Sequence, residues 1–62
     1  MDSRYKVGLK LMIDGIEQTL IEDNGTRGFF QATDAKFDKW PQALKPIANY
    51  YYDELNDCKE VK

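Results

Sequence analysis

The stretch VGLKLMIDGIEQTLIEDNGTRGFFQA, from Val7 to Ala32, decides how this chain folds. It holds two hairpin dipeptides, Asp14-Gly15 and Asn24-Gly25, each flanked by alternating apolar residues. Such pairs supply the positive φ angles that two-residue hairpin loops demand. A three-stranded antiparallel meander follows, with strands over roughly 5–13, 16–23 and 26–32.

A type I′ loop at Asp14-Gly15 sets Ile13 opposite Ile16, Leu11 opposite Gln18, Leu9 opposite Leu20 and Val7 opposite Glu22. The other face then pairs Met12 with Glu17, Lys10 with Thr19, Gly8 with Ile21 and Lys6 with Asp23. The same loop at Asn24-Gly25 pairs Glu22 with Arg27, Leu20 with Phe29, Thr19 with Phe30 and Gln18 with Gln31. Strand side chains alternate between faces, so this register assigns Val7, Leu9, Leu11, Leu20 and Phe29 to the core. Met12, Ile21 and Phe30 fall on the outer face, beside Lys10 and Thr19.

After Ala32 the period changes. Thr33-Asp34 is suited to a helix N-cap, and Trp40 before Pro41 ends any helix there, predicting a short helical turn at about 34–39. Leu44, Ile47, Tyr51, Leu55 and Cys58 recur at three- and four-residue spacing, which predicts a C-terminal helix over about 46–59 with Pro46 in its first turn. The expected architecture is α+β: a three-stranded meander packed on one face by that helix, with Trp40 closing the core. The 62 residues form a single small domain, whose core supplies roughly 3 to 5 kcal/mol of net stability.

Composition narrows the function. There is one cysteine, Cys58, and no histidine, so neither a disulfide nor the usual zinc ligand sets can be built. No apolar run reaches the length of a membrane span, and the N-terminal residues lack the apolar stretch of a signal peptide. A reduced, cytoplasmic protein without a membrane partner is expected. The formal net charge is -2, unlike the basic surface that phosphate neutralisation requires. The acids Asp53, Glu54, Asp57 and Glu60 gather toward the C-terminus, whereas Arg4, Lys6 and Lys10 gather in the first strand.

No catalytic, metal-binding or phosphate-cradling motif is present, so no enzyme and no cofactor are expected. Cys58 reads as a small apolar residue of the helix stripe, since it has no base beside it. The tyrosines are more informative. Three consecutive helical residues cannot all enter one core, so with Tyr51 in the stripe, Tyr50 lies at its edge and Tyr52 well outside it. Exposed tyrosine is enriched at interfaces. The expected function is a small non-enzymatic protein-binding module, in the manner of a phage or mobile-element inhibitor or adaptor that acts on a host protein. Its expected contact residues are Met12, Ile21 and Phe30 on the outer sheet face, with Tyr50, Tyr52, Asp53 and Asp57 on the helix.

Two alternatives belong to other classes. One is a nucleic-acid reader presenting Arg4, Lys6, Lys10 and Phe30 from the sheet. In its order of elements alone the chain resembles the arm-binding domains of phage integrases, but that family is strongly basic and this chain is not. The other is a self-associating structural protein, a homodimer through the outer sheet faces.

Overall fold

The computed structural model describes residues 4–61. Four antiparallel strands lie side by side in chain order: β1 (Lys10–Ile13), β2 (Ile16–Asp23), β3 (Arg27–Ala32) and β4 (Ile47–Tyr51). Single 3-10 turns occupy Ala35–Phe37, Gln42–Leu44 and Tyr52–Leu55. The protein is mainly β, and the expected C-terminal helix over 46–59 is replaced by β4 and one 3-10 turn. The short helical turn expected at 34–39 is present as Ala35–Phe37, where the Asp34 side chain caps the Lys36 N–H at 3.2 Å.

The first hairpin has the expected register, from Ile13 opposite Ile16 to Lys10 opposite Thr19. Asp14 (φ 53°) and Gly15 (φ 78°) both take the positive φ of a type I′ turn. The ladder stops earlier than residue 5, and Gly8 is the reason. Its N–H donates to the Leu20 carbonyl while the Leu20 N–H donates to the Leu9 carbonyl, and its φ is 102°. That is a glycine-type bulge, completed by a turn in which the Leu9 N–H donates to the Lys6 carbonyl. Val7 and Lys6 therefore leave the sheet, and Val7 is 66% exposed rather than part of the core.

The second hairpin is offset by one residue. The Asn24 N–H donates to the Arg27 carbonyl, which puts Gly25 (φ 87°) and Thr26 at the tip instead of Asn24 and Gly25. The Asp23 carboxylate holds this tip by accepting the Gly25 N–H at 2.9 Å. The shifted tip moves partners by two residues, pairing Asp23 with Gly28 and Glu22 with Phe29, and a bulge between Leu20 and Glu22 then takes one residue back, so that Leu20 pairs with Phe30. A one-residue slip exchanges faces. Phe30 accordingly enters the core with no exposed surface, and the expectation that it sits on the outer face is corrected.

β4 pairs with β3 from Ile47 opposite Gln31 to Tyr51 opposite Arg27. Ile47, Tyr50 and Tyr51 are strand-favouring types, and the alternation inside the run serves a sheet. Ala48 and Tyr50 are half-buried on the core face, whereas Ile47, Asn49 and Tyr51 are exposed. Tyr52 continues the alternation and is buried, so the expectation of an exposed Tyr52 is also corrected. Most of the helical stripe was a coincidence of spacing: Leu44, Ile47 and Tyr51 are exposed, and only Leu55 and Cys58 reach the core. Trp40 does not close the core either. It is 46% exposed and meets Phe37 edge-on at 5.0 Å.

The core consists of Leu11, Ile13, Leu20, Phe30, Tyr52 and Leu55, with Tyr5, Leu9, Tyr50 and Cys58 packed against it. Tyr5 stacks on Tyr52 with ring centroids 3.9 Å apart, and an Arg4 Nη2 donor reaches the Leu55 carbonyl at 2.8 Å. The C-terminal segment then seals the free edge of β1. The Met12 N–H donates to the Lys59 carbonyl, the Val61 N–H donates to the Lys10 carbonyl, and Glu60 bridges to Leu11. Covering an edge in this way removes a template for strand addition.

The Tyr52 hydroxyl donates to Asp23 Oδ1 at 2.6 Å, tying the last 3-10 turn to the second hairpin. This bond, with the Gly25 N–H, holds the Asp23 carboxyl below the usual carboxylate range. Burial first, and then the same bond, push the Tyr52 phenol above its ordinary value. A carboxylate lowered in the fold contributes stability above its unfolded pKa of about 4, and that stability is lost as pH falls further. A phenol raised in the fold contributes below about pH 10, with loss as pH rises beyond it. Tyr52→Phe should therefore flatten both limbs of the stability profile. Urea midpoints measured across pH check this, and a variant whose acid limb keeps its wild-type slope contradicts it.

Candidate functional site

The outer face of the sheet is built from cross-strand rows that the register fixes. One row runs Lys10, Thr19, Gln31, Ile47; a second runs Glu22, Phe29, Asn49; Arg27 and Tyr51 form a third, and Met12 stands beside Glu17. The Arg27 guanidinium carbon lies 5.9 Å from the centre of the Tyr51 ring, a cation–π contact between cross-strand neighbours.

Polar bonds occupy the middle of this face. Thr33 Oγ1 donates to Glu17 Oε2 at 2.9 Å and lies 2.9 Å from Thr19 Oγ1. Gln31 and Gln42 bond reciprocally: Gln31 Nε2 donates to the Gln42 carbonyl at 3.0 Å, and Gln42 Nε2 donates to Gln31 Oε1 at 2.6 Å. Asp34 Oδ2 accepts the Glu17 N–H at 3.2 Å. These N–H bonds keep the Asp34 carboxyl below its usual range, the bond from Glu17 foremost. The β3 to β4 connection is thereby fastened along the β2 and β3 rows.

Exposed apolar surface is left at the margins. Met12 is 40% and Ile21 39% exposed, the latter at the β2 bulge. The larger share lies on the β3–β4 side, where Phe29 is half-buried and Ile47 and Tyr51 are 55% and 53% exposed. Of the residues singled out from sequence, Met12 and Ile21 are thus on the surface, and Asp53 and Asp57 are exposed in and after the last 3-10 turn. Phe30 and Tyr52 are core residues, and Tyr50 is half-buried on the core face with its ring edge-on to Phe30 at 5.8 Å. Sequence reasoning missed Phe29, Ile47, Tyr51 and Arg27. The signal that could have found three of them is the period-two run after Pro46, which sets Tyr51 on the face opposite Tyr50 and Tyr52 and brings Arg27 beside it.

On the core side an open cleft of about 370 Å³ is bordered by Asp14, Tyr50, Glu54, Leu55 and Cys58. Its two carboxylates face no cation in that lining. Among the described residues no group of three or more His, Cys, Asp or Glu is placed to hold a metal ion, and no helix is long and apolar enough to cross a membrane. The chain matches no protein-family model, no curated protein and no solved structure.

Proposed function

We propose that this chain is a small non-enzymatic protein-binding module that docks its partner on the β3–β4 side of the outer sheet face. The observation that carries this reading is the exposure of Ile47 and Tyr51 beside Phe29, with Arg27 lying over the Tyr51 ring. Tyrosine and arginine around an apolar centre are the residue types that concentrate binding energy in protein interfaces. An inhibitor or adaptor of a host protein, encoded by a phage or another mobile element, is the proposed setting. The nucleic-acid alternative has lost two of its members. Phe30, the side chain that would stack on bases, is in the core, and Arg4 is engaged with the Leu55 carbonyl.

The test is a tagged pull-down from host lysate, with and without nuclease, comparing the wild type with Arg27→Ala/Phe29→Ala. Both positions lie off the β4 edge. We expect one stoichiometric protein that survives nuclease and whose capture by the double variant falls at least about tenfold. Undiminished capture by the folded double variant overturns the docking face, and material that disappears with nuclease overturns the protein-binding reading.

A further inference from the structure

The two edges of the sheet are treated differently. The β1 edge is sealed by residues 59–61, whereas β4 has no strand beyond it among the described residues. Which β4 groups face outward follows from the ladder. The Tyr52 N–H donates to the Thr26 carbonyl and the Ala32 N–H donates to the Pro46 carbonyl, so even-numbered positions of β4 bond to β3. Bonding alternates along an antiparallel strand. The N–H and C=O groups of Ile47, Asn49 and Tyr51 therefore point away from the sheet, and the Tyr51 N–H has an acceptor there among the described residues, Glu54 Oε2 at 3.4 Å.

We infer that this edge pairs with the same edge of a second copy, joining two sheets into one continuous eight-stranded sheet. An antiparallel two-fold centred on Asn49 is self-complementary. Asn49 meets Asn49 of the second copy with both outward groups of each in register, and Ile47 meets Tyr51. Just beyond the paired residues, Lys45 before one strand and Asp53 in the turn after the other fall at the same end of the seam, opposite charges at both ends. Lys45 is already extended (φ -66°, ψ 132°) on its way into the strand, and Asp53 is exposed at the start of the closing turn. The strand itself, Ile-Ala-Asn-Tyr-Tyr, contains none of the charges, prolines or bulges that natural edges use to prevent addition. Since the other edge is covered, the assembly closes at two. An isologous contact of this kind is the commonest form of homodimer. The inference is independent of the docking face, because it uses the backbone edge.

Sedimentation equilibrium from micromolar to millimolar protein tests it. The wild type should pass from monomer to dimer without larger species. Asn49→Pro removes the outward N–H and leaves the bonds to β3 in place, and it should weaken dimerisation at least about tenfold by deleting two central hydrogen bonds. Lys45→Asp and Asp53→Lys should each weaken the dimer, and the two together in one chain should restore it. That charge series decides the matter should Asn49→Pro fail to fold. Deleting residues 59–62 should expose the β1 edge and produce larger oligomers. A wild type that stays monomeric at millimolar concentration, a dimer indifferent to Asn49→Pro in a folded chain, or charge reversals without effect overturns the proposal.

Discussion

Phe30→Ala should leave the chain largely unfolded in buffer at room temperature, while Phe29→Ala remains folded. The two residues are chemically identical neighbours, and the difference lies wholly in the register of the second hairpin. Phe30 is fully buried, paired with Leu20 and edge-on to Tyr50. Truncating a buried phenylalanine costs about 3–5 kcal/mol in lost burial and cavity formation. A domain this small holds roughly that much in total. Phe29 is half-buried on the opposite face, beside Glu22 and Asn49, where truncation should cost no more than about 1 kcal/mol. Urea titrations followed by circular dichroism distinguish the two. An unfolded Phe29→Ala beside a stable Phe30→Ala would mean that the bulge between Leu20 and Glu22 is absent and that Phe29, not Phe30, shares a face with Leu20.

The second large effect should come from the smallest substitution. Gly28 lies in β3 opposite Asp23 and Tyr50. A methyl group added there runs into Leu20 Cδ1, approaches the Tyr52 hydroxyl to 2.8 Å and meets the Glu22 carbonyl oxygen at 2.9 Å. The leucine can rotate, but the carbonyl belongs to the backbone at the bulge and cannot. Overpacking of this type costs about 1–3 kcal/mol, and here the hydroxyl that must move is the one bound to Asp23. Gly28→Ala should therefore lower the urea midpoint sharply and also weaken the acid dependence that the Tyr52–Asp23 bond produces. A wild-type midpoint in Gly28→Ala would contradict the close approach of the last 3-10 turn to β3.

The first hairpin was legible because Asp14-Gly15 lies between runs whose alternation and turn chemistry agree. The second was only half legible. Asn24-Gly25 marks the turn, but the Asp23 side chain binds the Gly25 N–H and moves the tip one residue on, an interaction no dipeptide rule contains. That shift alone changes partners by two residues and keeps the faces; it is the bulge at Ile21 that turned Phe29 and Phe30 to the faces opposite those expected. Gly8 likewise read as an ordinary strand residue, although its positive φ ends the ladder and frees Val7.

The C-terminal third misled for a different reason. Leu44, Ile47, Tyr51, Leu55 and Cys58 satisfy helical spacing, yet Ile47 to Tyr52 equally satisfies alternation. The run between Pro46 and the closing turn is too short for periodicity to decide. Tertiary pairing with β3 decided it, because without β4 the backbone groups of Gly28, Phe30 and Ala32 would lack a partner on that side. The candidate surface moved with it. Met12 and Ile21 remain on the surface, while the greater exposed area passed from Phe30 and Tyr52 to Ile47 and Tyr51.

Amide hydrogen exchange along residues 46–59, read residue by residue by NMR at low protein concentration, tests the central claim that Ile47–Tyr51 is the open edge strand of a four-stranded sheet. The structure predicts slow exchange at Ala48 and Tyr50, whose N–H groups bond to β3, and fast exchange at Ile47 and Asn49, with the latter slowing as concentration rises and copies pair. Continuous protection from residue 49 to residue 58, without alternation, would mean a helix and would contradict both the sheet and the surfaces assigned to it.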